Sequence, residues 1–382
     1  MKIAYYCQHV LGVGHFHRSL EVCRTLLNNH HVTMVVGGPD VAAHVPGLSF
    51  LKLPALKMDK EFSSLIPGKQ GAPLAELKDQ RRMLLLSFVE QFRPDCLIIE
   101  LFPFGRKAFR FELEPLLDLV RSEISTCRVY CSLRDILVEK KTGRDKFEQR
   151  AVTTLNRYFD GVLIHSDPSM FVLGQTFGKT DLLQVPLHYT GFVSPKPSPV
   201  NSAKIRRDCG LGPAQKLIVA SIGSGSVGGE LLDATTEAFR LLTTQNEWFL
   251  QIFTGPYLDA ATYERLHNKQ NARLKVQRFS DHFIDWLGAA DLSVSMAGYN
   301  TCMNTLAAGV PALMYPFGQN QEQRLRIEQV RRNGSVRLLE NDELAPQKLT
   351  ALMRYQAHCQ RYLSQLKLDG ASETLKIIES GS

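Results

Sequence analysis

The stretch Ser295-Met-Ala-Gly-Tyr-Asn-Thr301 decides the fold class of this sequence. The apolar run that leads into it, residues 291–295, has the length and composition of a buried parallel strand. The small residues that follow predict a tight turn, and Asn300 or Thr301 is placed to cap a helix that runs to Ala308. A strand, a turn and a helix in this order predict the first part of a βαβ unit.

The same turn is a candidate anion site. A helix N-terminus presents backbone N–H groups that have no acceptor inside the helix, together with the positive end of the helix dipole. This combination suits a phosphate group. A plain βαβ turn that binds nothing gives the same sequence pattern, so both interpretations stay open on this stretch alone.

Short apolar runs and amphipathic stretches alternate over the whole chain of 382 residues. This alternation is typical of a parallel, doubly wound α/β sheet. It starts at residues 2–7, continues to about residue 164 and restarts at residues 217–221, so we expect two Rossmann-like domains. The polar region 57–73 interrupts the alternation and is predicted to be a long loop.

The best candidate for a linker is Ser194-Pro-Lys-Pro-Ser-Pro199, which its three prolines make stiff and extended. We therefore expect an N-terminal domain over residues 1–193, a linker over 194–200 and a C-terminal domain over 201–365. Residues 366–382 are expected to form a helix that packs back on the N-terminal domain. Two such domains would face each other across a cleft.

Composition is that of a soluble globular protein, with 44% hydrophobic and 22% charged residues. The sequence shows no signal segment and no apolar run near the ~20 residues that span a bilayer. Eight scattered cysteines favour reduced thiols, and we expect a cytoplasmic protein, with contact to the inner face of the membrane left open. The net charge of +7 suits anionic partners, but no motif indicates nucleic acid.

Gly12-Val-Gly14-His15-Phe-His17-Arg18 follows the first strand directly. In an open parallel sheet, ligands bind at the carboxyl ends of the strands, so this turn is expected to face the cleft. Arg18 stands where a dinucleotide fingerprint would have its third glycine, which gives little support to a dinucleotide site. A histidine here can act as a general base near neutral pH. The alternative for His15 and His17 is a surface or helix-capping role.

Glu100 ends the predicted strand at residues 96–100 and is expected to point into the same cleft. A carboxylate there can orient a histidine and stabilise its protonated form, as the third group of a hydrolytic triad does. The alternative is a structural ion pair with Arg106. Both roles can hold at once.

A second glycine turn, Ser221-Ile-Gly-Ser-Gly-Ser226, opens the second half of the chain. Its glycines allow an oxyanion to approach the backbone, and its serine hydroxyls add donors. No Gly-Lys-Ser/Thr follows, so it is not a Walker A loop. This turn and the turn at 296–301 can face one ligand. The amides of Gln319-Asn-Gln-Glu-Gln323 can hydrogen-bond a sugar, unless they form only a polar helix start.

Other chemistries find no support in the sequence. It contains no H-E-x-x-H, EF-hand or clustered Cys/His pattern, so we expect no metal site. No G-x-S-x-G elbow appears, which argues against an α/β-hydrolase.

The combination of motifs resembles the two-domain GT-B glycosyltransferases, in particular the family 28-like branch that includes the lipid-linked GlcNAc transferase of bacterial peptidoglycan synthesis. The resemblance extends over nearly the whole chain. The stretches that carry it are Gly12-Val-Gly-His15, Glu100-Leu-Phe-Pro-Phe-Gly-Arg106, Ser132-Leu-Arg-Asp-Ile136, Phe253-Thr-Gly-Pro256, Met296-Ala-Gly-Tyr-Asn-Thr301 and Gln321-Glu-Gln323.

This resemblance implies that the C-terminal domain holds a nucleotide-sugar donor, a UDP-sugar in first place, and that the N-terminal domain holds the acceptor. No cofactor beyond this co-substrate is implied. The implied catalytic residues are His15 and Glu100. The implied substrate contacts are Gly12, Gly14, His17, Arg18, Arg106, Arg134, Gly223, Ser224, Gly225, Ser226, Gly255, Ser295, Met296, Ala297, Gly298, Tyr299, Asn300, Thr301, Asn304, Gln319 and Gln323.

Two positions depart from the pattern of similar sequences. Six residues after Gly298, where relatives usually place a glutamate that binds the ribose hydroxyls, this chain has Asn304. An amide lacks the charge-assisted bond of a carboxylate, so donor affinity and donor identity are affected. Glu100 stands where an aspartate is more common, which is a smaller change.

Three functions follow from these observations. The favoured one is an inverting, metal-independent glycosyltransferase in which His15 deprotonates the hydroxyl of a glycan, lipid or small-molecule acceptor. The second is a nucleotide-sugar hydrolase, because Gly-x-Gly-His-x-x-Arg also resembles a sugar-nucleotide hydrolase of the same fold. The third is a non-catalytic sugar- or lipid-surface-binding protein, which Asn304 favours and the intact His15 opposes.

Overall fold

The computed structural model describes residues 1–9, 13–38, 41, 44–58, 64–68, 73–135, 143–242, 247–318 and 321–381. The chain divides into two compact units. Unit 1 comprises Met1–Val193 and Lys367–Ser382, and unit 2 comprises Ser194–Leu366. Each unit is built on its own sheet of parallel strands, so the α/β fold class predicted from the alternating pattern is confirmed.

Unit 1 contains a seven-stranded sheet in the order β3-β2-β1-β6-β7-β8-β9, in which every neighbouring pair is parallel. Helices connect most of these strands, and a short antiparallel pair, β4 and β5, lies outside the sheet. The strands are β1 (Lys2–Cys7), β2 (His31–Val36), β3 (Ser49–Lys52), β4 (Leu56–Met58), β5 (Leu65–Pro67), β6 (Cys96–Glu100), β7 (Arg128–Arg134), β8 (Gly161–His165) and β9 (Leu187–Tyr189). The helices are α1 (Gly14–Leu26), α2 (Leu74–Phe92), α3 (Arg110–Glu123), α4 (Arg144–Tyr158) and α12 (Gly370–Ser380).

The central strand β1 shows why the sheet is buried on both faces. Ala4 and Tyr6 belong to the apolar core on one face, and Ile3, Tyr5 and Cys7 belong to the core on the other. Because side chains alternate along a strand, a nearly continuous apolar run supplies both cores at once.

Unit 1 is completed by the end of the chain. The backbone N–H of Phe192 donates to the carbonyl of Lys367 at 2.7 Å, and the N–H of Gly370 donates back to Phe192 at 3.0 Å. Helix α12 then buries Ala371 and Ile378 in the core that also contains α1. Unit 2 is therefore inserted between two segments of unit 1 that are hydrogen-bonded to each other.

Unit 2 contains a six-stranded parallel sheet in the order β12-β11-β10-β13-β14-β15. Its strands are β10 (Lys216–Ser221), β11 (Trp248–Phe253), β12 (Leu274–Gln277), β13 (Leu292–Met296), β14 (Ala312–Tyr315) and β15 (Val336–Leu338). Its helices are α5 (Pro199–Asp208), α6 (Gly229–Leu242), α7 (Ala260–His267), α8 (Phe283–Ala289), α9 (Tyr299–Ala308), α10 (Gln321–Arg332) and α11 (Pro346–Gln356).

Several predicted elements differ from those observed. Residues 57–73 were expected to form a loop, but β4 and β5 pair within this region. Helix α5 begins at Pro199, because Ser198 accepts the N–H of Asn201 and a proline suits the first helical position, so the end of the expected linker is helical. Helix α9 ends at Ala308 as predicted, but its N-cap is Gly298 and not Asn300 or Thr301.

Both sheets have the same reversal of strand order. In unit 1, β1 lies between β2 and β6, and in unit 2, β10 lies between β11 and β13. The chain leaves the central strand in one direction and later returns to its other side. In doubly wound folds, ligands bind beyond the carboxyl ends of the strands at such a switch point.

Candidate functional site

The switch point of unit 1 brings together the two predicted catalytic residues. His15 lies in the first turn of α1, which follows β1, and Glu100 is the last residue of the neighbouring strand β6. The Nδ1 atom of His15 is 2.5 Å from Oε1 of Glu100. The carboxylate is completely buried, whereas 23% of the histidine side chain remains exposed. The structure therefore forms a carboxylate–histidine pair whose ring can be reached from outside.

Two arginines complete this cluster. The Nη2 atom of Arg18 donates to Oε1 of Glu100 at 2.7 Å, and Nη2 of Arg106 donates to Oε2 at 3.0 Å. Both guanidinium groups are nearly buried, with 2% and 8% of their side chains exposed. The pair between Glu100 and Arg106 and the pair between Glu100 and His15 exist together. Arg18, expected at the substrate, lies in the interior and holds the carboxylate.

The protonation states of the pair follow from its surroundings. Burial disfavours a charged Glu100, but the His15 hydrogen bond and the two guanidinium groups outweigh burial and hold the pKa of this carboxyl well below its usual range. Burial lowers the pKa of His15 to about 4, with Arg106 and Arg18 acting in the same direction and Glu100 opposing them. Because an ionised carboxylate only accepts, Nδ1 carries the ring proton, and Nε2 is the basic atom.

A chain of buried polar groups supports the same sheet edge. The Ser132 hydroxyl is 2.8 Å from the Tyr5 hydroxyl and 2.8 Å from Nε2 of His165, whose Nδ1 is 2.9 Å from the hydroxyl of Thr190. Burial lowers the pKa of His165 to about 3. His165 was not predicted from the sequence, although it ends β8 just as Glu100 ends β6.

A second buried ion pair was also missed. Arg81 of α2 donates from Nε and Nη2 to both oxygens of Glu112 at 2.8 and 2.6 Å, and from Nη2 to Gln8 at 3.1 Å. Arg81 and Glu112 are fully buried. The signal was present in the sequence, because Arg81 shares the buried face of α2 with Leu85 and Val89 at a spacing of four residues. Through Gln8, this cluster contacts the chain directly after β1.

The remaining residues of unit 1 that were predicted to contact the substrate differ in their burial. Gly14 is exposed at the start of α1, and His17 is half-buried with its ring edge-on to Phe16. Arg134 is the last residue of β7 and is half-buried. Gly12 lies outside the described residues.

The switch point of unit 2 is formed mainly by the backbone of glycine-containing turns. The turn after β10 contains Gly223 and Gly225, both at positive φ, and it touches the turn after β11. A Cβ on Gly255 would come 2.4 Å from the carbonyl oxygen of Gly223, and one on Gly225 would come 2.5 Å from the carbonyl oxygen of Thr254. Glycine is therefore required at both positions for the two turns to approach. Ser224 is half-buried and Ser226 is exposed beside it.

The neighbouring turn after β13 leads into α9. Gly298 caps the helix with extended backbone and no side-chain hydrogen bond, and a Cβ at this position would meet nothing within 4 Å. The side chains of Ser295, Met296, Ala297, Tyr299 and Thr301, all expected at the ligand, are buried. Gly298 and Asn300 are partly exposed. The stretch can therefore meet a ligand at Gly298, at Asn300 and through backbone N–H groups.

Because β10 and β13 are neighbours with Ser221 opposite Ser295, the two glycine turns lie side by side. The tight packing between them includes Gly228, whose Cβ would come 2.9 Å from Cγ of Met296. Helices α6 and α9 begin at these turns, so two helix N-termini reach the same edge of one sheet. This arrangement suits an anion without any charged side chain.

Two of the other residues predicted to contact the donor already accept hydrogen bonds within unit 2. Oδ1 of Asn304 accepts from the hydroxyl of Ser194 at 2.8 Å, and Asn304 is half-buried. Oε1 of Gln323 accepts from the N–H of Phe317 at 2.9 Å. Gln319 lies outside the described residues.

Two features are absent from the described residues. Over the ranges given above, no group of three or more His, Cys, Asp or Glu side chains is arranged to hold a metal ion. In the same part of the chain, no helix has both the length and the apolar character needed to cross a membrane.

The part of the chain that contains both glycine turns is similar to a known domain family. Residues 219–367 match the glycosyltransferase family 28 C-terminal domain. The UDP-N-acetylglucosamine--N-acetylmuramyl-(pentapeptide) pyrophosphoryl-undecaprenol N-acetylglucosamine transferase of Bartonella tribocorum is 24% identical over 267 residues, which are 66% of this chain and 69% of that protein.

Solved structures extend the similarity to the whole chain. The crystal structure of MurG from Acinetobacter baumannii has a TM-score of 0.56 and 15% identity and covers 100% of both chains. The UDP-GlcNAc 2-epimerase from Methanocaldococcus jannaschii has a TM-score of 0.60 and 9% identity, again over 100% of both chains. At such identities the likeness shows a shared fold, and the presence of an epimerase means that the fold does not select the reaction.

Proposed function

Since this chain is a family 28-like glycosyltransferase with the GT-B fold, we propose that it transfers a sugar from a nucleotide-sugar donor to an acceptor hydroxyl with inversion at the anomeric carbon. The observation that carries the proposal is the 2.5 Å contact between Nδ1 of His15 and the buried Glu100. It leaves Nε2 unprotonated and part of the ring exposed, which a general base requires.

The proposed reaction is a single displacement. Nε2 of His15 takes the proton of the acceptor hydroxyl while the hydroxyl oxygen attacks the anomeric carbon. The bond from that carbon to the phosphate oxygen breaks, and the nucleoside diphosphate leaves with the bonding electrons. One attack from the face opposite the leaving group inverts the configuration.

The proposed place for the donor diphosphate is the switch point of unit 2. The turns at Gly223–Ser226 and at Gly298 bring two helix N-termini to one sheet edge. Fixed backbone dipoles of this kind stabilise the negative charge that develops on the leaving group. They can act in place of a divalent cation, so we propose a metal-independent reaction.

A UDP-sugar is the proposed donor, because the Bartonella relative is named for a UDP-sugar. The acceptor class is a glycan, a lipid or a small molecule. The name of that relative contains a lipid-linked acceptor, undecaprenol. An acceptor of this kind would bring the protein into peripheral contact with the inner face of the membrane.

A ligand screen is the first test. The purified protein is heated with UDP-, GDP-, dTDP- and CMP-sugars, and we expect the UDP-sugar to raise the melting temperature most. Binding to the folded protein stabilises it by about 2.7 kcal/mol at one hundred times Kd. If none of these nucleotides shifts the melting temperature, the chain is not a nucleotide-sugar enzyme.

The same dyad can activate water, so a nucleotide-sugar hydrolase is the second candidate. Release of nucleoside diphosphate is measured with and without a panel of acceptors. A transferase releases it only slowly until the right acceptor is present. Fast release without any acceptor, with free sugar as the second product, would establish the hydrolase instead.

A further inference from the structure

Glu100 is bound by three nitrogen donors at once. His15 and Arg18 share Oε1 at 2.5 and 2.7 Å, and Arg106 takes Oε2 at 3.0 Å. In a simple carboxylate–histidine pair, the carboxylate stabilises the protonated ring. Here two permanent positive charges compete with His15 for the same negative charge. The cluster of Glu100 and the two arginines has a net charge of +1 before His15 takes any proton.

The loop that carries Arg106 has an unusual backbone conformation. Leu101 and Arg106 both have positive φ, at 67° and 57°, a region that residues with side chains rarely occupy. Between them the chain turns tightly, with the N–H of Gly105 bonded to the carbonyl of Leu101 at 2.7 Å. Unfavourable backbone conformations at both ends of a short loop indicate that the position it gives to a side chain is functionally important. Here that side chain is Arg106, which contacts the carboxylate of Glu100.

Three other buried titratable groups interact with this cluster and stay neutral near pH 7. Burial raises the pKa of the Cys7 thiol, which ends β1, and that of the Cys131 thiol on β7. Burial also lowers the pKa of His165, which ends β8 and senses both Arg18 and Glu100. Among the described residues, the charged groups that shift the pKa of His15 are Glu100 on β6, Arg18 on α1 and Arg106 in the loop after β6.

We propose that Arg18 and Arg106 are positioning residues that offset the charge of Glu100, so that the carboxylate orients His15 without drawing a proton onto the ring. Glu100 fixes the tautomer through Nδ1, and the arginines act together with burial to keep Nε2 unprotonated. The role of His15 as the base rests on the function proposed above. The charge relation within the cluster does not, and it can be measured without substrate.

The consequence is that His15 stays unprotonated, and therefore able to accept a proton, over a wide pH range. As the pH falls, His15 takes up a proton and loses its function only near pH 4. An ordinary histidine would already do so near pH 6.5. Removing one arginine leaves more of the Glu100 charge for His15, so the acid limb of the pH profile should move upward.

The test is an NMR titration of His15 in protein labelled at histidine Cε1, with the signal assigned by its loss in His15→Gln. We expect His15 to titrate near pH 4 in the native protein. In Arg106→Gln its pKa should rise by about one unit. Arg106→Lys keeps the charge and should restore the native value within about half a unit. Arg157→Gln, which removes an exposed arginine paired with Asp118, is the matched control and should change nothing.

Three results would overturn the proposal. One is a native His15 pKa at or above 6.5, which needs no variant to be folded. Another is an identical pKa in the native protein and in folded Arg106→Gln, as judged by its melting temperature and the remaining histidine signals. The third is an equal rise in Arg106→Lys and Arg106→Gln, which would mean that packing and not charge sets the value. Failure of the donor screen with the expected titration would reject only the proposed function.

Discussion

The two switch points of this molecule use the same architecture for opposite chemistry. In unit 1 the strand ends carry charged side chains, with His15, Glu100, Arg18 and Arg106 in direct contact. In unit 2 the equivalent edge carries glycine turns and helix N-termini, with no ionised side chain among its predicted contacts. One parallel sheet therefore offers either side-chain chemistry or backbone chemistry at its carboxyl edge.

The difference teaches what each type of site requires. A side-chain site needs buried partners to fix charge and tautomer, and unit 1 supplies them from α1, β6 and the loop that follows β6. A backbone site needs turns that approach each other closely. Unit 2 achieves this at Gly225 and Gly255, where a Cβ would collide with neighbouring backbone. Proton transfer is expected at the first site and anion binding at the second, so variants should separate the two functions.

The largest effect is expected for His15→Ala. Loss of the general base should lower turnover by roughly 10²–10⁴, the range for such groups. Donor affinity, measured by calorimetry, should stay the same because the proposed donor site lies in unit 2, whereas His15 belongs to unit 1. His31→Ala is the control. This exposed histidine begins β2, so it lies at the amino-terminal end of the strands, whereas His15 lies at their carboxyl end. Native turnover in His15→Ala would remove His15 from the mechanism.

Glu100→Gln should act mainly on stability. It leaves Arg18 and Arg106 buried without their carboxylate, and breaking a buried pair costs about 3–5 kcal/mol. Urea denaturation measures the change, and turnover should fall less than in His15→Ala. Glu114→Gln removes a partly exposed partner of Arg110 and should cost less than about 1 kcal/mol. Equal costs for the two variants would show that the buried cluster is not held by charge.

Asn304→Glu tests whether the donor lies along α9. A carboxylate can still accept from Ser194, and its second oxygen can accept from ribose hydroxyls with a charge-assisted bond. Such a bond is worth on the order of 1.5–3 kcal/mol, so the nucleoside diphosphate should bind tenfold tighter or more. Asn304→Ala is the comparison. If all three proteins bind every nucleotide equally, Asn304 does not touch the ligand and the donor is misplaced.

Gly298→Ala tests the backbone site itself. The residue has φ of −66°, and its Cβ would meet no protein atom within 4 Å, so the fold should tolerate the methyl group. A diphosphate that approaches this backbone would be displaced, and affinity should fall about tenfold, or 1.4 kcal/mol. Gly212→Ala is the control, because Gly212 precedes β10 and so lies at the end of that strand opposite to the glycine turn. Unchanged affinity in a folded Gly298→Ala would argue that no ligand comes close here.

The smallest expected effect is that of a chelator. If helix N-termini stabilise the leaving group, turnover should persist in EDTA at its level without EDTA. The assay is repeated after addition of Mg²⁺ or Mn²⁺ to detect any dependence. Complete loss in EDTA with recovery on adding either ion would contradict a backbone-only donor site.

The sequence predicted the fold because a doubly wound sheet depends on a repeated pattern. Each buried strand needs an apolar run and each helix an apolar face, and these signals recur many times along the chain. Single boundaries depend on local backbone and were less predictable. Gly298 caps α9 because the helix starts directly after the turn, which moved the cap two residues away from Asn300.

The site was predictable where a residue type and a strand end coincided, as for His15 and Glu100. The contact between Arg18 and Glu100 was not predicted from the sequence. The position of Arg18 three residues after His15 puts both side chains on one helix face, so a shared partner was the better inference. Arg81 escaped notice because a fully buried arginine is rare and its partners come from distant segments.

The insertion of unit 2 into unit 1 has a consequence for the order in which the protein folds. During synthesis, residues 194–366 leave the ribosome as one continuous segment with a complete core of their own. Unit 1 begins earlier but lacks Ala371 and Ile378, which fill its core beside α1, until the segment that follows unit 2 has been made. We therefore expect the N-terminal unit to complete its folding after the C-terminal one, although domains usually fold in the order of translation.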